Sequence, residues 1–249
     1  MHEEALYGDD SEGLGEQGEL FICDITDVVL KDLIPTMEYP FYSVSKAPDR
    51  EERTYPCKNG TTMTIVPSVK GRPTIYDKDV LIYAISQLVA AMNKGEQVGN
   101  VIRFQISHFL RFANRGNSGA HYRAVCDSVD RLAGMLIVTN AWEGHSSFHL
   151  VDKAFVKRRK TSKAGKEARA EYVEFVLSDW VISAVEKKNV LSLSPKYFEL
   201  SRPLERRLYE LCRKHCGVQP RWRIGLDVLH RKTGSLSRRS EFLSFIRNS

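Results

Sequence analysis

Two clusters of bases are the residues in this sequence best suited to chemistry, and that chemistry is the holding of a polyanion. Residues 153–169 carry eight of them (Lys153, Lys157, Arg158, Arg159, Lys160, Lys163, Lys166 and Arg169) against one acid, Glu167. Residues 202–239 carry eleven against three acids. A base that neutralises a nucleic-acid phosphate releases counterions, so such densities give affinity with a steep salt dependence. In the second cluster Arg231, Lys232, Ser235, Ser237, Arg238 and Arg239 gather at one turn and the start of one helix. That is the part of a recognition helix that meets the major groove, where arginine pairs in bidentate fashion with guanine. Arg206 and Arg207 are expected to face solvent or phosphate.

Other chemistries fail on spacing. Gly165-Lys166 lacks the upstream glycine and the following Ser/Thr of a phosphate-binding loop, since Lys160 and Glu167 stand there. His145 and His149 are not spaced as the metal pair of a nicking enzyme. Cys212, His215 and Cys216 look like metal ligands, but no second pair follows to close a tetrahedral site. Five cysteines, an odd number, do not suggest a disulfide framework. No catalytic residue, metal or cofactor is expected, and the chain reads as a binding protein rather than an enzyme.

The net charge of +6 conceals a division. Residues 1–32 hold ten acids and one base, whereas residues 33–249 hold 36 bases and 21 acids. The basic body favours a polyanionic partner, and the acidic segment reads as a largely disordered tail able to screen it. No apolar run is long enough to span a membrane, and the start lacks a signal-peptide pattern, so a cytoplasmic location is expected.

The elements that must position these bases follow from periodicity. Residues 20–35 read as weakly helical and 35–56 as a Pro-punctuated linker. Asn59-Gly60 between extended runs predicts a hairpin over 53–66. A short strand at 74–76 precedes Asp77, the expected cap of a helix over 78–93. A second helix is predicted over 102–113 and a third from Ser118, offering Ser118, His121 and Arg123 outward. Asp127 and Asp130 share that outer face, which limits the approach to the helix start; Arg131 is expected to pair with Asp127. Two strands, 148–156 and 171–177, flank the basic tip as a wing would, and a helix at 179–188 closes the unit. A second helix, turn, helix plan runs from 191, with Ser201 as a cap, Leu204, Leu208, Leu211 and His215 on one face, Gly217 as a stop, and later helices at 224–231 and 237–247. The chain stops at Ser249 before any second wing, so the second module is expected to be incomplete.

The fold expected is α+β, with tandem winged-helix domains built of a helix-turn-helix plus a β-wing. The tail occupies 1–35, the first domain 36–190 and the second 191–249.

Three strings carry a family resemblance. Thr74-Ile75-Tyr76-Asp77-Lys78-Asp79-Val80-Leu81-Ile82-Tyr83, Tyr197-Phe198-Glu199-Leu200 and Leu204-Glu205-Arg206-Arg207-Leu208-Tyr209-Glu210-Leu211-Cys212-Arg213-Lys214-His215-Cys216-Gly217 resemble the bacterial plasmid replication initiator protein A family. The likeness extends over residues 37–247, taking in Glu38-Tyr39-Pro40-Phe41 and Ile224-Gly225-Leu226. It implies a pair of winged helices that bind repeated double-stranded DNA sites at a plasmid origin, open adjacent AT-rich DNA and engage a host replication initiator or helicase. It also implies a homodimer through the first domain. A winged-helix transcriptional repressor is the alternative that topology alone does not separate, and a rolling-circle nicking enzyme is the catalytic one.

Overall fold

The computed structural model describes residues 20–46, 48–57, 60–140, 146–159 and 168–248. Helix α2 (Lys78–Asn93) lies at its centre, buried on every side of its first three turns. Val80, Leu81, Ile82, Tyr83, Ala84, Ile85 and Leu88 are all buried. The helix is thus buried all round rather than along one face. Strand β2 (Lys31–Leu33) and helices α3 (Ile106–Phe112) and α4 (Gly119–Gly134) pack around it.

One sheet has the order β1-β5-β9-β8, with β1 (Leu20–Ile22), β5 (Val101–Gln105), β9 (Ala170–Leu177) and β8 (Val151–Arg158). Strand β1 runs parallel to β5; the other pairs are antiparallel. The helix predicted over 102–113 is thus a strand followed by a shorter helix. Val101, Ile102 and Phe104 are buried between two neighbouring strands. Ile102, Arg103, Phe104 and Gln105 alternate apolar and polar as a half-buried strand should, but the run is short and passes without a break into the apolar residues of α3, so spacing alone reads the two as one helix.

A second sheet, β3-β4-β6-β7, contains the predicted hairpin as β3 (Arg53–Pro56) and β4 (Thr62–Val66). Asn59 of its turn lies outside the described residues. The other strands, β6 (Leu136–Thr139) and β7 (Ser146–Phe148), come from the chain between α4 and β8. Helix α5 (Asp179–Glu186) follows β9 and stacks Trp180 on Phe148, ring centroids 4.9 Å apart.

The chain then forms β10 (Val190–Ser192), a 3-10 turn (Pro195–Glu199), and helices α6 (Pro203–Cys216), α7 (Leu226–Thr233) and α8 (Arg239–Arg247). Strand β10 pairs antiparallel with β2, and helix α1 (Ile34–Glu38), which follows β2 directly, packs on α6. Residues 20–35 are therefore two short strands and the start of α1 where a weak helix was predicted. The supposed linker contains α1, with Met37 and Glu38 buried.

Helix α6 buries an unexpected face. Arg206, Arg207 and Glu210 are inside, whereas Leu204, Leu208 and His215 are only half-buried. Arg206 donates both hydrogen bonds of one nitrogen to the Asp79 carboxylate, at 2.8 and 2.9 Å. Arg115 reaches the same carboxylate at 2.6 Å. Arg207 donates to the backbone carbonyls of Thr36, Met37, Glu38 and Lys232 and to the Glu210 carboxylate. Lys78 sits between Asp32 and Glu210 at 2.6 and 3.0 Å. The expectation that Arg206 and Arg207 face outward fails because both find buried acceptors, which a desolvated guanidinium requires. Helix α6 is capped at Arg202, not at Ser201: the Arg202 amide donates to Glu205.

Three smaller corrections concern the start of α2 and its surroundings. Residues 74–76 form a turn, with one bridge from Thr74 to Ser43. Asp77 turns its carboxylate back to the Thr74 amide, at 2.6 Å, rather than capping α2. Arg131 pairs with that carboxylate through two contacts of 2.8 Å, so its partner is Asp77 and not Asp127.

Candidate nucleic-acid interface

The first group of predicted residues meets where α4 begins and the β8–β9 ribbon narrows. Ser118 precedes α4 with its hydroxyl 2.8 Å from His121 Nδ1, so the pair steady each other. Arg123, one helical turn further, is exposed. It lines a hollow of about 280 Å3 together with Arg158 and Arg169 from the two arms of the ribbon. Helix and ribbon therefore present bases to the same hollow. Arg158 donates to the Ala168 carbonyl at 3.1 Å, and Arg159 reaches Glu171 at 3.4 Å while remaining largely exposed. Lys157 stands in β8 opposite Tyr172. Lys160, Lys163 and Lys166 lie outside the described residues.

Arg169 holds the two parts in register. Its guanidinium lies 3.9 Å from the Tyr122 ring centroid of α4 and donates to Asn117 at 3.0 Å. A cation over an aromatic face, aided by a hydrogen bond, orients a side chain that charge alone leaves free. In the sequence Arg169 is one base among eight, and nothing beside it in the chain announces this role. The one signal is Tyr122, an aromatic residue one turn into α4. The acids expected to limit approach along α4 are themselves paired: Lys70 bridges Asp127 and Asp130 at 2.6 and 2.7 Å.

The second group surrounds the α7–α8 turn. Gly234 has φ +67, and a Cβ there would stand 2.7 Å from Pro40, so both the turn and the packing need glycine. Ser235 and Ser237 join hydroxyls at 2.9 Å across this turn. Arg238 caps α8, its amide donating to Glu241 at 3.0 Å, with the side chain exposed. Arg239 is exposed and pairs with Asp227 at 2.6 Å. Arg231 is exposed on α7. Lys232 differs from these, because its ammonium is bound to Glu38.

Glu38 also accepts from Lys214 and lies 3.0 Å from His215. Burial pushes its carboxyl up, but the hydrogen bonds from Lys214 and Lys232 outweigh that and hold it down at about 2. His215 stacks on Trp222, centroids 4.5 Å apart, and Cys212 is exposed, so the Cys212, His215, Cys216 set faces different surroundings. Among the described residues no group of three or more His, Cys, Asp or Glu is arranged to hold a metal ion. Among them, too, no helix is long and apolar enough to cross a membrane.

The sequence profile of the replication initiator protein A family matches residues 31–248. A relative from Wigglesworthia glossinidia brevipalpis, described as a "putative replication protein", is 32% identical over 226 residues, covering 88% of this chain and 80% of its own. Two crystal structures of domains 2 and 3 of RctB share the fold. One, of selenomethionine derivatives, superposes with a TM-score of 0.64 at 14% identity, covering 86% of this chain and 83% of that one. The other has a TM-score of 0.54 at 17% identity, covering 81% and 78%.

Proposed function

This chain belongs to the replication initiator protein A family, and from that premise we propose that it starts plasmid replication by binding repeated double-stranded sites at the origin. In this reading α2, β5, α3, α4 and the β8–β9 ribbon make one winged-helix module, with α4 as reader and the ribbon as wing. Helices α6, α7 and α8 make a second helix-turn-helix, with α8 as reader. The modules correspond to residues 36–190 and 191–249, with β2 and α1 bracing the second. The protein works by binding in the cytoplasm, without a catalytic step of its own. It opens adjacent DNA, recruits a host initiator or helicase, and dimerises through its first module.

The observation that carries the reading is the convergence of Arg123 from α4 with Arg158 and Arg169 from the ribbon on one hollow. A reader helix and a wing need this relation: ribbon bases lie along phosphates while the helix start approaches base edges. The order helix, strand, helix, helix, then four strands of which the last two form the ribbon, with β5 paired to β9, supports it.

Fluorescence anisotropy on two labelled duplexes, across a salt titration, tests the proposal. One duplex carries the repeats flanking the gene and the other a scrambled version. A steep salt slope with preference for direct repeats beside AT-rich DNA is the expected result. Preference for a single promoter palindrome points instead to a repressor, and binding to neither duplex overturns the reading.

A further inference from the structure

A cavity of about 560 Å3 opens between β3, the chain leaving α1, and the α7–α8 turn. Sites that enclose a ligand have volumes of this order. Its walls are apolar and aromatic, formed by Tyr39, Tyr55, Val228 and Leu236. Leu236 is 61% exposed and Val228 39%, so large apolar groups stand uncovered at its mouth. The bases at the rim are Arg53, Arg231 and Lys232. Arg53 is bound to Asp49 and Lys232 to Glu38. The Arg231 side chain forms no hydrogen bond or ion pair among the described residues. Such a cavity suits a bulky apolar side chain flanked by acids.

The chain contains that pattern. Glu3-Glu4-Ala5-Leu6-Tyr7-Gly8-Asp9-Asp10 places one aliphatic and one aromatic residue between two acidic pairs, and residues 1–19 hold seven acids with no Lys or Arg. Twelve residues lie between Tyr7 and Leu20, where β1 begins. They reach at most about 45 Å. A folded chain of this length has a radius of gyration of about 18 Å, so the cavity is within range.

We propose that this cavity is a docking site for the chain's own N-terminal segment, with Leu6 and Tyr7 seated against Tyr55 and Leu236 and the flanking acids meeting Arg231. The consequence rests on the function proposed above. Arg231, Lys232 and Ser235 line the cavity and are also candidate DNA contacts, so the docked segment and DNA exclude each other at the second reader. A short tether gives an effective concentration of about 1 mM, and a free-peptide Kd of about 0.1 mM then weakens DNA binding about tenfold. Diffuse screening by the same acids needs neither Leu6 nor Tyr7, which separates the two mechanisms.

The first arm of the test contains no DNA. A labelled peptide of residues 1–12 is titrated with protein lacking residues 1–19. Saturable binding is expected, lost when Leu6 and Tyr7 of the peptide are serine and lost in Val228→Asp and Leu236→Asp proteins. No saturable binding at millimolar concentration, or binding indifferent to these changes, overturns the proposal. The second arm uses the full chain with Leu6→Ser and Tyr7→Ser, which keeps all seven acids. It should bind duplex about tenfold more tightly than the parent, as the deletion does. A gain on deletion without a gain in the double serine variant overturns docking in favour of screening. If no form binds duplex while the peptide still binds, the DNA reading falls and the docking site stands.

Discussion

The arginines of α6 and those of the β8–β9 ribbon carry the same charge in opposite circumstances. Arg206 and Arg207 are 4% and 2% exposed, enclosed by carboxylates and backbone carbonyls from distant parts of the chain. Arg158 and Arg159 are exposed, Arg158 donating to the Ala168 carbonyl and Arg159 reaching Glu171. The strings that carry the family resemblance belong to the first group. Lys78 and Asp79 at the start of α2 meet Glu210 and Arg206 of α6. The most distinctive residues of the sequence thus fasten the two helical units together, and the less patterned bases remain for a partner. A run of positive charge does not by itself identify a binding surface; the presence of a buried acceptor decides.

Five experiments break or sharpen this contrast. Arg207→Ala has the largest expected effect, a loss of about 3–5 kcal/mol in urea unfolding, because four backbone carbonyls lose their buried donor and Glu210 is left with only Lys78 and Tyr197. An unchanged midpoint would refute a structural role for the seam. Next comes Glu38, whose carboxyl sits at about 2 against an ordinary 4.5. A depressed folded value gives stability that is complete above 4.5 and lost as pH falls from there toward 2. Glu38→Gln should therefore flatten the acid limb of a stability-against-pH curve, and a limb that keeps its slope would contradict the assignment.

On the ribbon, the combined change Arg158→Ala with Arg159→Ala should leave stability within about 0.5 kcal/mol. It should weaken binding to every duplex and lower the salt slope by about 0.9 for each phosphate that is no longer neutralised. Arg238→Ala should instead reduce discrimination between matched and scrambled duplexes by about 1–3 kcal/mol. Equal losses on all duplexes from both changes would erase the division between wing and reader. The smallest effect belongs to Lys70→Ala, which removes surface ion pairs worth less than about 1 kcal/mol, read from the thermal midpoint.

Much of the architecture was legible from pattern. Helix α2, helix α4, the hairpin and the paired arms β8 and β9 all follow from turn residues and apolar spacing. Two kinds of element were not. Strand β5 alternates apolar and polar over only four residues and runs straight into α3, so its period is lost in the helix that follows. Helix α6 shows apolar spacing at Leu204, Leu208 and Leu211, yet of these only Leu211 is buried, together with Arg206, Arg207 and Glu210. Periodicity assumes that the buried face is the apolar one, and here the partner surface supplies Asp79, Asp32 and backbone carbonyls. In the candidate site, spacing placed Arg123 and the ribbon bases on neighbouring elements. It did not reveal that Arg169 clasps Tyr122 or that Lys232 is bound to Glu38, because both pairs join residues far apart in the chain.

The Arg207 side chain reaches carbonyls 169 to 171 residues earlier in the chain. During synthesis at about 5–20 residues per second, roughly 10–35 s separate the emergence of the two partners. Over that interval α1 and β2 are outside the ribosome without α6 and β10, the elements that cover them. Closing so long a loop is among the last events in maturation. Until the chain beyond Asn189 emerges, Met37 lacks Leu193 and Tyr197, two of the neighbours that bury it, so this part of the core closes only when the last quarter of the chain is made.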